Sequence, residues 1–383
     1  MKANWNYPTN ILVGAGRIVE IAALCKTHGI TAPLIVTDPG IAALPMTGVV
    51  REICIERGLR AEVFSDIKAN PTGKNVADGA AAFVDGNHDA VIAMGGGSAL
   101  DAGKAIALIA RQTCRLWDLE DAGDNDKNAD PDQIAPVIAI PTRAGTGSEV
   151  GRAGLIVNEA EQRKVIIFHP RMLPVSVILD PELTVGLPAQ MTAATGMDAL
   201  SHALEAWCAP NFHPMAEGIA LESIRLVREN LPRAVSHGTD LQARLNMLVA
   251  SMMGATAFQR GLGAMHALAH PLGAVYDAHH GLLNAVLMPY VLQANQVAID
   301  ERIARLAGYI GIAPNFSDFL DWVLEIRAAL NIPHSLADLI KRDETFERIG
   351  AMAVLDPSAG GNPIAFSAEE YQSLLVKAYK GVL

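Results

Sequence analysis

Length, composition and charge narrow the classes of function open to this chain. Its 383 residues are 50% hydrophobic and 19% charged, which allows two domains and excludes a largely disordered protein. The formal net charge of -11 argues against nucleic acid as a partner, because phosphate binding needs clustered Lys and Arg. No run approaches about 18 uninterrupted apolar residues, and the first residues lack the apolar core of a signal peptide. We therefore expect a cytoplasmic protein with small-molecule partners and no membrane contact.

The first half of the chain is predicted to form an α/β sheet. Short β-branched runs alternate there with amphipathic stretches, and each run resembles a buried strand that leads into a turn. These runs are residues 32–38, 59–66, 89–98 and 135–142. After the run at 175–188 no further strand is predicted. The rest consists of helical segments that we expect to break at Pro210, Pro232, Pro271 and Pro333.

The change from strands to helices marks a domain boundary near Asp180 to Leu187. Pro181, Gly186 and Pro188 interrupt regular structure there. We therefore predict an α/β domain at residues 1–184 and an all-α domain at residues 185–383.

Asp38 stands at the carboxyl end of the first predicted strand. Nucleotides bind at that edge of open sheets, where a carboxylate accepts hydrogen bonds from a ribose 2′-hydroxyl and repels a 2′-phosphate. Asp38 thus favours NAD over NADP, although Asp38-Pro39-Gly40 is equally compatible with an ordinary turn. The NPTG segment that begins at Asn70 is likewise compatible with either a nucleotide-binding role or an ordinary turn.

Two glycine-rich stretches follow predicted strands. Residues 95–98, with the sequence GGGS, lead into a helix whose free backbone N–H groups and positive dipole end suit a pyrophosphate. The stretch matches neither GxGxxG nor the Walker pattern, and glycines also simply permit a tight turn. The second stretch, residues 139–154, supplies the hydroxyls of Thr142, Thr146 and Ser148 as further candidate binding groups. The alternative interpretation of this stretch is an ordinary surface turn.

One later segment combines a carboxylate and several imidazoles in apolar surroundings. Asp198 and His202 are four residues apart in a stretch of helical periodicity, so they share a helix face and can hold one ion. His266 and His270 repeat this spacing, and a turn then returns the chain to His280. A single histidine of this kind is more often a core or surface residue, whereas the whole set predicts a metal site.

Five segments together resemble one family. They are GGGSALDAGK (95–104), PTRAGTGSEV (141–150), DPELTVGLP (180–188), GMDALSHALEAW (196–207) and HALAHPLGAVYDAHHGLLNAVLMPYV (266–291). They resemble the iron-containing, group III alcohol dehydrogenases, and the resemblance spans nearly the whole chain. It implies a nucleotide-binding α/β domain of the dehydroquinate synthase-like type, a helical C-terminal domain, NAD and a divalent metal. The implied metal is Fe²⁺, although nitrogen and oxygen ligands also admit Zn²⁺ or another divalent ion.

The resemblance also implies roles for individual residues. The implied metal ligands are Asp198, His202, His266 and His280. His270 is the implied catalytic residue beside the nicotinamide and substrate, and His279 lies outside the ligand set. The implied cofactor-binding residues are Asp38, Asn70, Gly95, Gly96, Gly97, Ser98, Asp101, Thr142, Thr146, Ser148, Leu183 and Gly186.

Two departures from the family pattern concern the substrate. Arg143 stands where the family commonly has Thr, and Gly151-Arg152-Ala153 replaces residues that usually line the nicotinamide end with neutral side chains. A guanidinium at Arg152 could form a bidentate pair with a substrate carboxylate and favour an acid-bearing aldehyde. Alternatively, Arg152 points to solvent or pairs with Glu149.

The predicted activity is that of a metal-dependent, NAD(H)-linked alcohol dehydrogenase or aldehyde reductase, acting as a homodimer. Hydride would pass between nicotinamide C4 and a short alcohol or aldehyde polarised by the metal, with proton exchange through His270. Maleylacetate reductase and glycerol dehydrogenase-like activities are alternatives. A dehydroquinate synthase-like lyase would need several basic residues for a phosphorylated acidic sugar, and a non-catalytic NAD sensor would be expected to lose a metal ligand.

Overall fold

The chain forms two compact units. The computed structural model describes residues 5–161, 163–341 and 345–383. The sheet unit comprises Tyr7–Arg143 and Gly147–Val185. The helical unit comprises Gly186–Leu383 together with Ala144–Thr146 and the described residues before Tyr7.

A six-stranded parallel sheet forms the centre of the sheet unit. The strands of this unit are β1 (Asn10–Val13), β2 (Pro33–Val36), β3 (Glu62–Phe64), β4 (Ala90–Gly95), β5 (Val137–Pro141), β6 (Ala153–Asn158), β7 (Arg163–Phe168) and β8 (Ser176–Leu179). The sheet has the order β1-β8-β5-β4-β2-β3, and β6 pairs with β7 in a separate antiparallel sheet. Because the large sheet is parallel, the turns after β2, β4 and β5 lie at one edge, where open α/β sheets bind ligands.

The predicted strands correspond to most of this sheet. Each of the four predicted runs contains one of β2 to β5, and β8 lies in the run at 175–188. The sequence interpretation missed β1, β6 and β7. β1 has only four residues, and β6 directly follows a glycine-rich segment, so neither has a clear pattern of its own. The α/β class of the N-terminal half and the helical class of the C-terminal half are confirmed.

α-Helices make up most of the regular structure outside the two sheets. The helices of the sheet unit are α1 (Ile21–Thr27), α2 (Pro39–Ala42), α3 (Pro45–Glu56), α4 (Gly73–Asp85) and α5 (Gly97–Ile109). Those of the helical unit are α6 (Ala189–Cys208), α7 (Pro214–Ser236), α8 (Leu241–Ala257), α9 (Ala264–Tyr276), α10 (His280–Tyr309), α11 (Phe316–Ala329), α12 (Phe346–Leu355) and α13 (Ala368–Lys380).

Two of the predicted helix breaks are wrong. Pro210 and Pro333 do lie between helices, but Pro232 lies inside α7 and Pro271 lies inside α9, which continues to Tyr276. A proline removes one backbone donor from a helix. The loss is local, and packing of the helix on its neighbours supplies most of its stability, so the helix continues beyond the proline.

Helix α6 lies at the centre of the helical unit. Every residue from Thr192 to Cys208 is buried, including Asp198, His202 and Glu205. Gly196 permits close packing, because a Cβ there would overlap the Leu231 side chain of α7. Charged and polar groups in such surroundings are costly unless they are paired or bind a metal.

Helix α10 is the only described helix that is long and apolar enough to cross a membrane. Of its most apolar window, 67% is buried inside the protein. Most of its buried apolar side chains belong to the core cluster that also contains side chains of α6 and α9. This burial is typical of a core helix.

Candidate metal centre and nucleotide site

Two helices bring three predicted ligands together. Asp198 and His202 lie one turn apart on α6, and His266 lies in the first turn of α9. One ligand atom from each residue lies within 4.8 Å of the other two, and all three residues are buried. The two helices therefore place a carboxylate and two imidazoles around one point.

His280 joins this cluster from the start of α10. Nε2 of His280 is 3.6 Å from Oδ1 of Asp198. Gly281 permits this approach, because a Cβ there would overlap the carbonyl oxygen of Ala194 on α6. All four predicted ligands thus lie together within the helical unit.

The protonation states of these groups suit a divalent cation. Burial opposes ionisation of Asp198, but the neighbouring imidazoles and the Asn284 amide outweigh it and hold the pKa of Asp198 below its usual value. Burial lowers the pKa of His266 and of His280 well below that of an exposed histidine. Metal binding needs this combination of an ionised carboxylate and neutral imidazoles.

Asn284 on α10 marks the point on which the ligand atoms converge. Its Nδ2 lies 2.9 Å from Oδ1 of Asp198, 3.2 Å from Nε2 of His266 and 3.1 Å from Nε2 of His280. An amide group has two hydrogens and cannot serve three acceptors at once. A divalent cation accepts a lone pair from each of them, so the residues present fit a metal ion.

His270 lies beside the ligands on α9. Its ring stacks on that of His280, with 5.4 Å between centroids, and lies 5.8 Å from that of His266. Oδ2 of Asp356 lies 2.8 Å from Nδ1 of His270. The carboxylate thereby holds one ring nitrogen and leaves Nε2 for other partners.

Three residues of this region were not singled out from the sequence. Glu205, Asn284 and Asp356 each contact a predicted ligand or His270. Glu205 lies seven residues after Asp198 on the same face of α6, and this spacing is a signal that could have found it. Asp356 is 86 residues from His270, and no local pattern connects the two.

In the sheet unit, the glycine-rich turn joins β4 to α5. Gly95 has a φ of 144°, and a Cβ there would lie 2.8 Å from that of Ala99, so the position requires glycine. Gly96 precedes α5 and has no side chain to cap the first N–H groups of the helix. Those donors suit an anion. Arg143 covers the turn, because a Cβ at Gly96 would overlap its guanidinium.

Asp38 lies beside this turn at the end of β2. Its Oδ1 accepts a hydrogen bond from Ile41 N–H at 3.0 Å and caps α2. Its Oδ2 lies 3.5 Å from the position of a Cβ on Gly95. Asp38 therefore forms the turn after β2 and also lies at the carboxyl edge of the sheet, and its role at the cofactor stays a prediction. The neighbouring Thr37 has a buried hydroxyl that no described residue hydrogen-bonds, and the sequence interpretation missed it.

Hydrogen bonds connect the start of α5 to two further predicted segments. The Ser98 hydroxyl donates to the carbonyl of Ala69, next to Asn70. The Ser148 hydroxyl donates to Oδ1 of Asp101, whose Oδ2 accepts from Leu155 N–H at 3.0 Å. Asp101 therefore anchors the segment after β5 on α5.

The remaining predicted cofactor residues are more dispersed. Thr142 N–H donates to the carbonyl of Gly95 at 3.0 Å, which joins the ends of β4 and β5. Leu183 is buried in the core of the sheet unit. Thr146 and Gly186 belong to the helical unit. The roles of these residues at the cofactor stay predictions.

Arg152 immediately precedes β6. Its guanidinium stands over the Phe168 ring at 5.4 Å from the centroid. Burial raises the pKa of Asp121, and the charge of Arg152 partly offsets that effect. The sequence analysis suggested Glu149 as a partner of Arg152. Glu149 is buried, and burial raises its pKa to about 7 despite the charge of Lys104.

Comparison with known proteins identifies the family. The model of the iron-containing alcohol dehydrogenases matches residues 8–181, and that of the C-terminal part of the same family matches residues 192–379. The chain therefore belongs to the iron-containing alcohol dehydrogenase family.

Individual relatives agree with this result. The chain is 39% identical over 379 residues to 4-hydroxybutyrate dehydrogenase of Cupriavidus necator, covering 96% of this chain and 98% of the relative. A solved 1,3-propanediol oxidoreductase has a TM-score of 0.93 and 32% identity, with 99% of this chain and 100% of that one covered. Sulfoacetaldehyde reductase from Bifidobacterium kashiwanohense, solved with NAD⁺, has a TM-score of 0.90 and 28% identity, covering 99% of each chain.

The predicted enzyme class follows from these similarities. The chain is an NAD-linked, metal-dependent alcohol dehydrogenase of this family. The relatives give no better support to the maleylacetate reductase, glycerol dehydrogenase or lyase alternatives.

Proposed function

We propose that the enzyme holds Fe²⁺ at Asp198, His202, His266 and His280 and interconverts a short primary alcohol and its aldehyde with NAD. The observation that carries this proposal is the buried cluster in which one carboxylate and three imidazoles converge. Zn²⁺ generally binds such ligands more tightly than Fe²⁺, so the preference for iron rests on the family.

Metal analysis of anaerobically purified protein tests the identity of the ion. We expect about one iron per chain, together with NADH oxidation by short aldehydes. Purified protein that is fully active with zinc and inactive after exchange to iron would contradict the iron part of the proposal. Full activity after removal of all divalent ions would contradict metal dependence itself.

The chain's residues hold the reactants and move a proton. When bound, the divalent ion polarises the substrate oxygen and NAD accepts the hydride. The first N–H groups of α5 would hold the pyrophosphate, and Asp38 would accept the adenosine ribose hydroxyls. His270, with Nδ1 held by Asp356, would exchange the alcohol proton with solvent through Nε2.

We also propose an acid-bearing substrate, a primary alcohol with a carboxylate at its far end. The 4-hydroxybutyrate dehydrogenase of Cupriavidus necator and the sulfoacetaldehyde reductase are named for acid-bearing substrates. Arg143 and Arg152 add two positive charges to a segment in which the family usually has neutral side chains. A carboxylate is the natural partner of a guanidinium.

Matched substrates test this specificity. We expect a higher kcat/KM for 4-hydroxybutyrate than for 1-butanol, which has the same chain length and no charge. Arg152→Ala should raise KM for the acid severalfold and leave that for butanol nearly unchanged. Arg171→Ala, which removes an exposed arginine of the same unit, is the control. Equal effects of Arg152→Ala on both substrates would return Arg152 to a structural role.

We further propose a cytoplasmic homodimer that acts on small molecules, without nucleic acid or membrane partners. The net charge of -11 supports the exclusion of nucleic acid. Under this proposal, residues 1–184 provide dinucleotide binding and residues 185–383 provide metal binding. Light scattering after gel filtration tests the dimer, and a monomer at micromolar concentration would contradict it.

A further inference from the structure

Glu205 is a buried carboxylate that the ligand set does not include. It follows Asp198 and His202 on α6 at positions i, i+4 and i+7, so all three lie on one helix face. Only 5% of Glu205 is exposed. A carboxylate in such surroundings is costly unless several donors satisfy it.

Three donors meet this carboxylate, and all belong to the start of α9. Oε2 of Glu205 accepts from Gly263 N–H at 2.7 Å and lies 2.6 Å from Nδ1 of His266. Oε1 accepts from Met265 N–H at 2.7 Å. Gly263 favours this approach, because a Cβ there would lie only 3.0 Å from Oε1. One side chain of α6 thus caps α9 and holds the ring of His266.

The contact at Nδ1 determines which nitrogen of His266 is available to an ion. A neutral imidazole carries one N–H, and a carboxylate at Nδ1 keeps the proton there. The lone pair is then on Nε2, which lies 3.2 Å from Nδ2 of Asn284, at the point where the ligand atoms converge. A carboxylate behind a ligand histidine also makes the ring a stronger base.

We propose that Glu205 is a positioning residue that sets the metal affinity of this site through the tautomer and orientation of His266. This inference rests on the proposed function in so far as that function needs a divalent ion at the cluster. It adds to the four ligands a residue that touches neither the ion nor the substrate. Glu205 also caps α9, so a variant that removes only a cap of this helix is needed to separate the two roles.

Glu205→Gln tests the proposal. Glutamine has the same shape, but the amide keeps one acceptor oxygen and presents an NH₂ group in place of the other. It therefore cannot accept from His266 and from both backbone donors as the carboxylate does. We expect metal-free Glu205→Gln protein to bind Zn²⁺ about 10- to 100-fold more weakly than wild type in a chelator competition. The visible spectrum of the Co²⁺-loaded variant should change as well.

Asn362→Ala is the matched control. Oδ1 of Asn362 accepts from Ala264 N–H at 3.1 Å, so this residue also caps the start of α9, and its hydrogen bonds include none to a histidine. We expect Asn362→Ala to lower the midpoint of thermal unfolding and to leave the Zn²⁺ affinity within about threefold of wild type. If both variants weaken Zn²⁺ binding equally, Glu205 acts only as a cap and the inference is overturned.

Glu205→Asp provides a second variant if the glutamine variant does not fold. It keeps the negative charge and shortens the reach to His266, so its Zn²⁺ affinity should fall between those of wild type and Glu205→Ala. Equal affinities of the aspartate and alanine variants would overturn the inference. If Glu205→Gln binds Zn²⁺ as tightly as wild type, the inference about Glu205 is overturned but the proposed function is not. If the wild-type protein binds neither Zn²⁺ nor Co²⁺, the proposed function is overturned as well.

Discussion

The metal cluster and the glycine turn present ligand-binding groups in opposite ways. In the helical unit, buried side chains from α6, α9 and α10 provide the candidate ligand atoms. In the sheet unit, the turn at Gly95 and Gly96 provides backbone N–H groups and contributes no side chain. Removal of a ligand atom would therefore disrupt the metal cluster. Addition of a Cβ would disrupt the glycine turn. Substitutions of opposite kinds should therefore damage the two sites.

Loss of a ligand should have the largest effect. His266→Ala removes an imidazole from the cluster, and we expect loss of most of the bound metal and a fall in kcat/KM of more than about 100-fold. His279→Ala is the control, because this neighbour of His280 caps α10, with Nδ1 3.4 Å from Leu282 N, and lies outside the implied ligand set. Full metal content and activity in His266→Ala would show that the cluster is not the metal site.

Addition of a single methyl group should damage the other site. Gly95→Ala places a Cβ at a φ of 144° and 2.8 Å from that of Ala99. We expect the free energy of unfolding to fall by roughly 1–3 kcal/mol and NAD affinity to fall as the turn shifts, with metal content unchanged. Gly48→Ala, which meets nothing within 4 Å, is the control. Tight NAD binding by a folded Gly95→Ala protein would contradict a role for this turn.

Asp38 should decide between the two nicotinamide cofactors. Asp38→Asn removes the charge but keeps an oxygen that can accept from Ile41 N–H, so the cap of α2 is retained. We expect the ratio of activity with NADH to activity with NADPH to fall about tenfold. This change lies within the roughly 1–3 kcal/mol that a charged group left without a partner costs. Kinetics with NADH and NADPH at equal concentration measure this change. A wild-type enzyme that is faster with NADPH would refute the assignment.

The smallest of these effects should come from Asp356. Asp356→Asn weakens the hold on Nδ1 of His270 without touching the four ligands. We expect kcat to fall roughly threefold to tenfold while metal content and NAD affinity stay at the wild-type level. If this variant loses metal, Asp356 instead contributes to metal binding.

The two sites also differ in how far the sequence predicted them. Asp198 and His202 share a helical spacing, and Gly95 follows a run of buried β-branched residues, so local patterns were sufficient to select them. Asp356 and the donors of Glu205 come from segments distant in the sequence, and no periodicity connects them. The breaks expected at Pro232 and Pro271 were wrong for a related reason, since packing against other helices overrides a local preference.

The sequence by itself determined the alternation of strands and helices in the first half, the helical second half and the residues capable of chemistry. These depend on periodicity and on the chemistry of single side chains, which are local properties. The family resemblance already implied that His280 and Asp198 hold the same ion. Only the tertiary structure decided that Asn284 lies where the ligand atoms converge and that Glu205 holds His266. Those contacts depend on how closely α6, α9 and α10 pack. That closeness follows from small residues such as Gly263 and Gly281, whose significance appears only when the neighbouring helix is in place.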